Sequence, residues 1–194
     1  MKFGRFEING KIFHGIVEND YVYELDNSFL NNYKKTGVKL NLEQVKILPP
    51  VIPNKMLALA KNYGSHLQGE SPPRQPEPFF KTTSSLIGHN DIINLPDDSE
   101  RIDAESELVL VIGKKAKNVQ SKDAFEYIFG YTCGNDVSAR DWQKGDKSWW
   151  RAKSSDTFSP LGPFIVNEIN PENLEITGII NGEIVQKCNT SEMI

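Results

Sequence analysis

Residues 102–113 read Ile-Asp-Ala-Glu-Ser-Glu-Leu-Val-Leu-Val-Ile-Gly, and they restrict the fold more than any other stretch. The β-branched run predicts a strand. Side chains alternate along a strand, so Glu105 and Glu107 fall on one face, their Cα atoms about 6.6 Å apart. Val109 and Val111 continue that face, and Leu108, Leu110 and Ile112 make the other face apolar. Such a strand is expected to be buried on both sides. Two like charges at its mouth lose hydration and repel unless a cation or hydrogen-bond donors compensate. A hard divalent ion held by carboxylate oxygens is one compensation. In isolation, Glu-x-Glu reads equally as a solvated strand end, because acids are mostly exposed.

A third acid changes the balance. Asp136 follows an apolar run, Gly130-Tyr131-Thr132-Cys133-Gly134-Asn135, and precedes Val137-Ser138-Ala139-Arg140. Alone it reads as a turn residue. With Glu105 and Glu107 it completes a three-carboxylate, all-oxygen site of the kind that suits Mg²⁺. Ser138 is placed to cap a short helix after it.

The chain has 194 residues, 38% of them apolar, and a net charge of −4 with both signs interspersed. That is enough for a core, and no basic block points to nucleic acid or an anionic membrane. No apolar run approaches the roughly 20 residues that span a bilayer, and the first residues lack the apolar centre of a signal peptide. Cys133 and Cys188 form no metal-type cluster and no disulfide framework, so a buried Cys133, a structural Cys188 and a cytoplasmic location are expected. No glycine-rich phosphate loop follows a strand, which argues against a nucleotide cofactor.

Lys2–Ile8, Lys11–Glu18 and Asp20–Leu25 read as antiparallel strands joined at Asn9-Gly10 and Asn19-Asp20. A polar stretch, Asn27–Leu42, follows. Leu48-Pro49-Pro50-Val51-Ile52-Pro53 is a proline-rich connector. It marks residues 1–50 as a small N-terminal β subdomain and 51–194 as a second, larger part. Lys55–Ala60 predicts a strand ending near His66. Gln68–Pro78, with four prolines, predicts an irregular mobile loop. Further strands are expected at Tyr127–Asn135, Phe164–Asn167 and Leu174–Ile180, and a helical turn at Ser121–Tyr127 with Ser121 as its cap. A hairpin at Asn181-Gly182 leads into Glu183–Lys187.

Three histidines can each be weighed. His14 and His89 read as surface or structural residues. His66 lies between a strand end and the proline-rich loop, where a titrating imidazole could serve as general base. Lys153, in Trp149-Trp150-Arg151-Ala152-Lys153-Ser154-Ser155, is either a solvated lysine or an amine that binds an anionic substrate and stabilises enolate charge.

Together these motifs resemble the fumarylacetoacetate hydrolase family. The likeness rests on Ala60–His66, Phe79-Phe80-Lys81, Ile102–Gly113, Phe129–Gln143, Lys153–Pro163 and Val185–Ile194, in that order. The N-terminal piece resembles an extension found in many bacterial and archaeal members. The resemblance implies a mixed α/β, β-rich fold with a β-roll core, usually a homodimer, in which residues 51–194 are the catalytic core. It implies Mg²⁺ (or Mn²⁺ or Ca²⁺) on Glu105, Glu107 and Asp136, and His66 as general base. Arg140, Gln143 and Lys153 are implied to face a small 2-oxo or β-diketo acid. Members often carry a glutamate three residues after the histidine. Here that position is Gly69, and Glu70, one later, is the catalytic candidate. The family's domain continues for several strands beyond Ile194, so a core truncated at the C-terminus is expected. The first expectation for activity is C–C bond hydrolysis of an acylpyruvate-like substrate. The alternatives are isomerisation of 2-hydroxyhepta-2,4-diene-1,7-dioate, hydration, or decarboxylation of oxaloacetate. From another class, an inactive fragment or accessory subunit is an alternative.

Overall fold

The structure is a computed structural model that describes residues 1–67 and 69–194. Gln68, the first residue of the expected proline-rich loop, lies outside the described residues.

The chain is mostly β. Its strands are β1 (Lys2–Ile8), β2 (Lys11–Glu18), β3 (Tyr21–Leu25), β4 (Lys35–Asn41) and β5 (Lys46–Leu48). Then come β6 (Met56–Ala60), β7 (Glu77–Lys81), β8 (Leu86–Ile87), β9 (Ile102–Asp103) and β10 (Ser106–Ile112). The last are β11 (Ile128–Asn135), β12 (Ser138–Ala139), β13 (Ser159–Val166), β14 (Glu175–Ile180) and β15 (Glu183–Asn189). Two short helices, α1 (Arg140–Gly145) and α2 (Trp150–Ser154), sit between β12 and β13.

The main sheet runs β10-β11-β13-β1-β2-β3-β4, with β5 on β1 and β8 on β13. Because β1 pairs with β13, residues 1–50 share a sheet with the rest of the chain. The expected hairpins form. Asn9-Gly10 and Asn181-Gly182 have positive φ at both positions, as two-residue turns between twisted strands require. Phe3, Ile16, Leu25, Phe29, Val111 and Ile165 make one core cluster, and Phe6, Phe13, Val17, Val22 and Val45 another. A third, of Val137, Ala139 and Phe158, lies under the acidic residues.

Several sequence expectations need correction. The polar stretch after Asn27 contains β4, an exposed strand whose partner β3 supplies its ladder. The proline-rich loop ends at Glu77, where β7 begins. Pro78 fits there because β6–β7 is a two-stranded ribbon. Strand β10 is not buried on both sides. It ends the main sheet with β11 as its partner there, and Leu110 and Ile112 are exposed. Cys133 is likewise exposed, not a buried thiol. Ser121 opens a 3₁₀ turn whose cap position is Gln120. Ser138 caps no helix: it lies in β12, and Ala139 takes the cap position of α1.

Candidate active site

Strand geometry brings the acids together. In β10, Ser106 and Glu107 pair with Asn135 and Gly134 of β11. Just before β10, the Glu105 N–H donates to Asn135 Oδ1 (3.0 Å), and the Asp136 N–H donates to the Glu105 carbonyl (2.9 Å). Short β12 then pairs with β9, Ser138 against Asp103 and Ala139 against Ile102. The two-residue alternation that sends Val137 and Ala139 into the apolar cluster sends Asp136 and Ser138 to the other face. Ser138 Oγ donates to Glu105 Oε2 (3.0 Å).

Cations close the cluster. Lys153 projects from α2, which is held on one side by the Phe79–Trp149 ring contact (5.5 Å) and on the other by Arg151 over the Trp142 ring (4.4 Å). Its ammonium donates to Asp136 Oδ2 (2.6 Å) and to Glu105 Oε2. Arg140, at the start of α1, donates to Asp103 Oδ2 (2.8 Å), to Gln143 Oε1 (3.0 Å) and to Glu105 Oε1. Lys81, at the end of β7, donates to Asp136 Oδ1 (2.5 Å) and to the Lys153 carbonyl. Lys81, Asp136 and Lys153 are 8%, 5% and 3% exposed, so these charges interact with little water between them.

The three carboxylates are thereby tuned apart. Burial pushes Glu105 up, but Lys153 and Arg140 outweigh it and hold the carboxyl at about 2. Burial pushes Glu107 up to about 7, aided by the charges of Asp136 and Glu105. Burial also raises Asp136, against the pull of Lys81 and Lys153. Glu107 makes no side-chain hydrogen bond among the described residues.

Among the described residues, no three acid, histidine or cysteine groups stand gathered as a ready metal cluster. The Lys153 ammonium bridges the oxygens of Glu105 and Asp136 that a metal would take. The donor set still suits a hard divalent cation: three carboxylates, of which Glu105 and Asp136 raise Glu107, and Glu107 makes no side-chain hydrogen bond among the described residues.

The remaining predicted residues are placed as follows. His66 lies in a 3₁₀ turn, Gly64–Leu67, exposed, its ring 6.2 Å from that of Tyr63. Glu70 pairs with Lys61 (2.9 Å) at the surface rather than with His66. Gln143 is brought to the site through Arg140. Two further residues carry no role in the sequence pattern. Lys81 belongs to the Phe79-Phe80-Lys81 motif, and a lone lysine closing a strand is its one signal. Tyr63 is buried, its hydroxyl without a partner among the described residues, and burial pushes it up to about 12 with Cys188 and Glu107 adding.

With this geometry in place, comparison with known proteins is direct. Residues 55–194 match the family model "Fumarylacetoacetate (FAA) hydrolase C-terminal", and residues 1–50 match "Rv2993c-like, N-terminal". The chain belongs to the fumarylacetoacetate hydrolase family. It is 41% identical over 163 residues to the mitochondrial oxaloacetate tautomerase of Xenopus laevis, which covers 80% of this chain and 51% of that protein. The chain thus spans about half the length of that relative. Among solved structures, the 5-carboxymethyl-2-hydroxymuconate delta-isomerase of Mycobacterium smegmatis superposes with a TM-score of 0.93 at 38% identity, covering 100% of this chain and 77% of that one. The maleylpyruvate hydrolase of Sphingobium sp. SYK-6, solved with manganese(II) and pyruvate, gives 0.78 at 26% identity, covering 100% and 78%. Family members of this kind act on small molecules. No helix among the described residues is long and apolar enough to cross a membrane.

Proposed function

We propose that this chain is an enzyme that moves a proton within a small 2-oxo acid bearing a second carboxylate or carbonyl, interconverting keto and enol forms. The observation that carries this reading is the Lys153 ammonium set between Glu105 and Asp136, with Arg140 on the far side of Glu105. Buried cations beside buried acids form a site where enolate charge can be stabilised without rearrangement. A divalent ion, Mg²⁺ in this reading, would be held by Glu105, Glu107 and Asp136, and when bound would supply Lewis-acid polarisation of the 2-oxo group. Lys153 and Arg140 meet the anionic substrate, and Gln143, held by Arg140, orients it. His66 takes a proton from the carbon next to the ketone, and the carbonyl oxygen gains one, so no atom is lost overall.

This order reverses the first expectation from sequence. C–C hydrolysis requires an attacking water to be activated and held, whereas enolisation does not. Glu70, the expected partner of His66, is engaged by Lys61. The named relatives also support isomerase chemistry: a tautomerase and a delta-isomerase. Hydrolysis is the second reading, favoured by the likeness to the maleylpyruvate hydrolase. Homodimer assembly belongs to the same reading and is supported by the exposed apolar Leu110 and Ile112 on β10, beyond the point where the Gln186 side chain covers Ser106. NMR of the products from oxaloacetate and from an acylpyruvate, with Mg²⁺ present, separates the outcomes. An unchanged carbon skeleton with accelerated keto–enol exchange supports the proposal. Two fragments mean hydrolysis, CO₂ release means decarboxylation, and no turnover favours an accessory role.

A further inference from the structure

We propose that Lys81 is a positioning residue: its buried ammonium ties Asp136 to the backbone of Lys153 and so fixes where the Lys153 amine points. The proposal rests on reading Lys153 as a substrate-facing group.

Helix α2 has only five residues, too few to be stable alone, and its last carbonyls have no partners within the helix. The β7 end supplies donors to two of them. Lys81 Nζ donates to the Lys153 carbonyl, and Thr82 Oγ1 donates to the Ser154 carbonyl (3.1 Å). The Thr82 N–H donates to Ser154 Oγ (3.1 Å). The Phe79 ring, on the same strand, lies against Trp149 and 5.3 Å from the Lys153 amine. Strand β7 therefore grips α2 along its length, and Lys81 is the part of that grip that also touches an acid of the site.

The two lysines differ in their partners. The Lys153 ammonium bridges two carboxylates of the candidate metal set. The Lys81 ammonium joins one carboxylate oxygen of Asp136 to the main-chain carbonyl of Lys153, so it ties the acid to the helix backbone. Lys81 therefore acts as a strut that fixes the backbone from which the Lys153 amine projects. Losing the strut frees Asp136 Oδ1 and the Lys153 carbonyl together, and a displacement of about 1 Å at such a site costs about a hundredfold in rate.

The test is amine labelling with an acetylating reagent, read by mass spectrometry on the metal-free chain. Exposed Lys144 and Lys147 serve as internal references. In the wild type, Lys153 is expected to be protected. In Lys81→Met, labelling of Lys153 is expected to rise severalfold while the references stay constant, a selectivity that a general loss of stability does not produce. In the turnover assay, kcat is expected to fall by about a hundredfold with KM unchanged. Rising label without an effect on kcat supports the strut and rejects the role of Lys153 instead. Should Lys81→Met fail to fold, Lys81→Ala with methylammonium is the deciding sample. Concentration-dependent recovery of Lys153 protection supports the proposal. Wild-type protection in Lys81→Met, or no recovery in Lys81→Ala, overturns it.

Discussion

The Lys153 ammonium lies 2.6 Å from Asp136 Oδ2 and also contacts Glu105, so it stands where a metal ion shared by those acids would have to enter. An incoming divalent ion must displace it, and two cations a few ångströms apart repel by several kcal/mol at an intermediate effective dielectric. Lys153→Met is therefore expected to bind Mg²⁺ roughly tenfold or more tightly than the wild type while losing turnover. Calorimetric titration and a rate assay read the two effects. Weaker Mg²⁺ binding in the variant would show that Lys153 helps to build the cation site.

Glu107 makes stability depend on pH in a definite sense. Its carboxyl is raised in the folded chain to about 7 from an ordinary value of 4.5. Between those values the folded state keeps a proton that the unfolded state has released. The metal-free chain therefore loses stability from this group as pH rises from about 4.5 to about 7. The full shift corresponds to about 3 kcal/mol. Glu107→Gln removes the liability. Its melting temperature in EDTA is expected to exceed that of the wild type at pH 8 and to match it near pH 4.

His66 and Glu70 should separate. Because Glu70 is paired with Lys61 at the surface, Glu70→Ala is expected to leave kcat/KM within about threefold of the wild type. His66→Ala is expected to lose roughly 10²–10⁴-fold, the usual contribution of a general base, without loss of metal affinity. Steady-state kinetics on both variants decides this. An equal loss in the two would place Glu70 beside His66 during turnover.

Arg140 joins Asp103, Glu105 and Gln143 through separate nitrogens. A lysine cannot reproduce that fork. Arg140→Lys is expected to lower kcat/KM by roughly ten- to a hundredfold despite its conserved charge. Near-wild-type kinetics would mean that charge alone matters there.

Much of this arrangement was legible in the sequence because it is local. Alternation within residues 102–113 puts Glu105 and Glu107 on one face, and the Asn-Gly turns set β1–β2 and β14–β15. Asp136, Arg140 and Lys153 were legible through the motifs around them. What the sequence concealed depends on distant partners. Lys81 acquires meaning from Asp136, 55 positions away, and from the Lys153 carbonyl, 72 away. The exposure of Leu110 and Ile112, on the face of β10 opposite buried Val111, depends on what packs against each face of the sheet, which composition does not show. Ser138 carried an N-cap signature, but pairing with Asp103 drew it into β12 and freed its hydroxyl for Glu105.

The most direct measurement is calorimetric titration of Mg²⁺, with oxalate present as a 2-oxo acid mimic, into the wild type and Glu107→Gln. The account predicts saturable binding to one site in the wild type and none in the variant, because Glu107 is the acid that no lysine holds among the described residues. Equal binding by both proteins, or none by either, would contradict the assignment of these three carboxylates as the centre of the site.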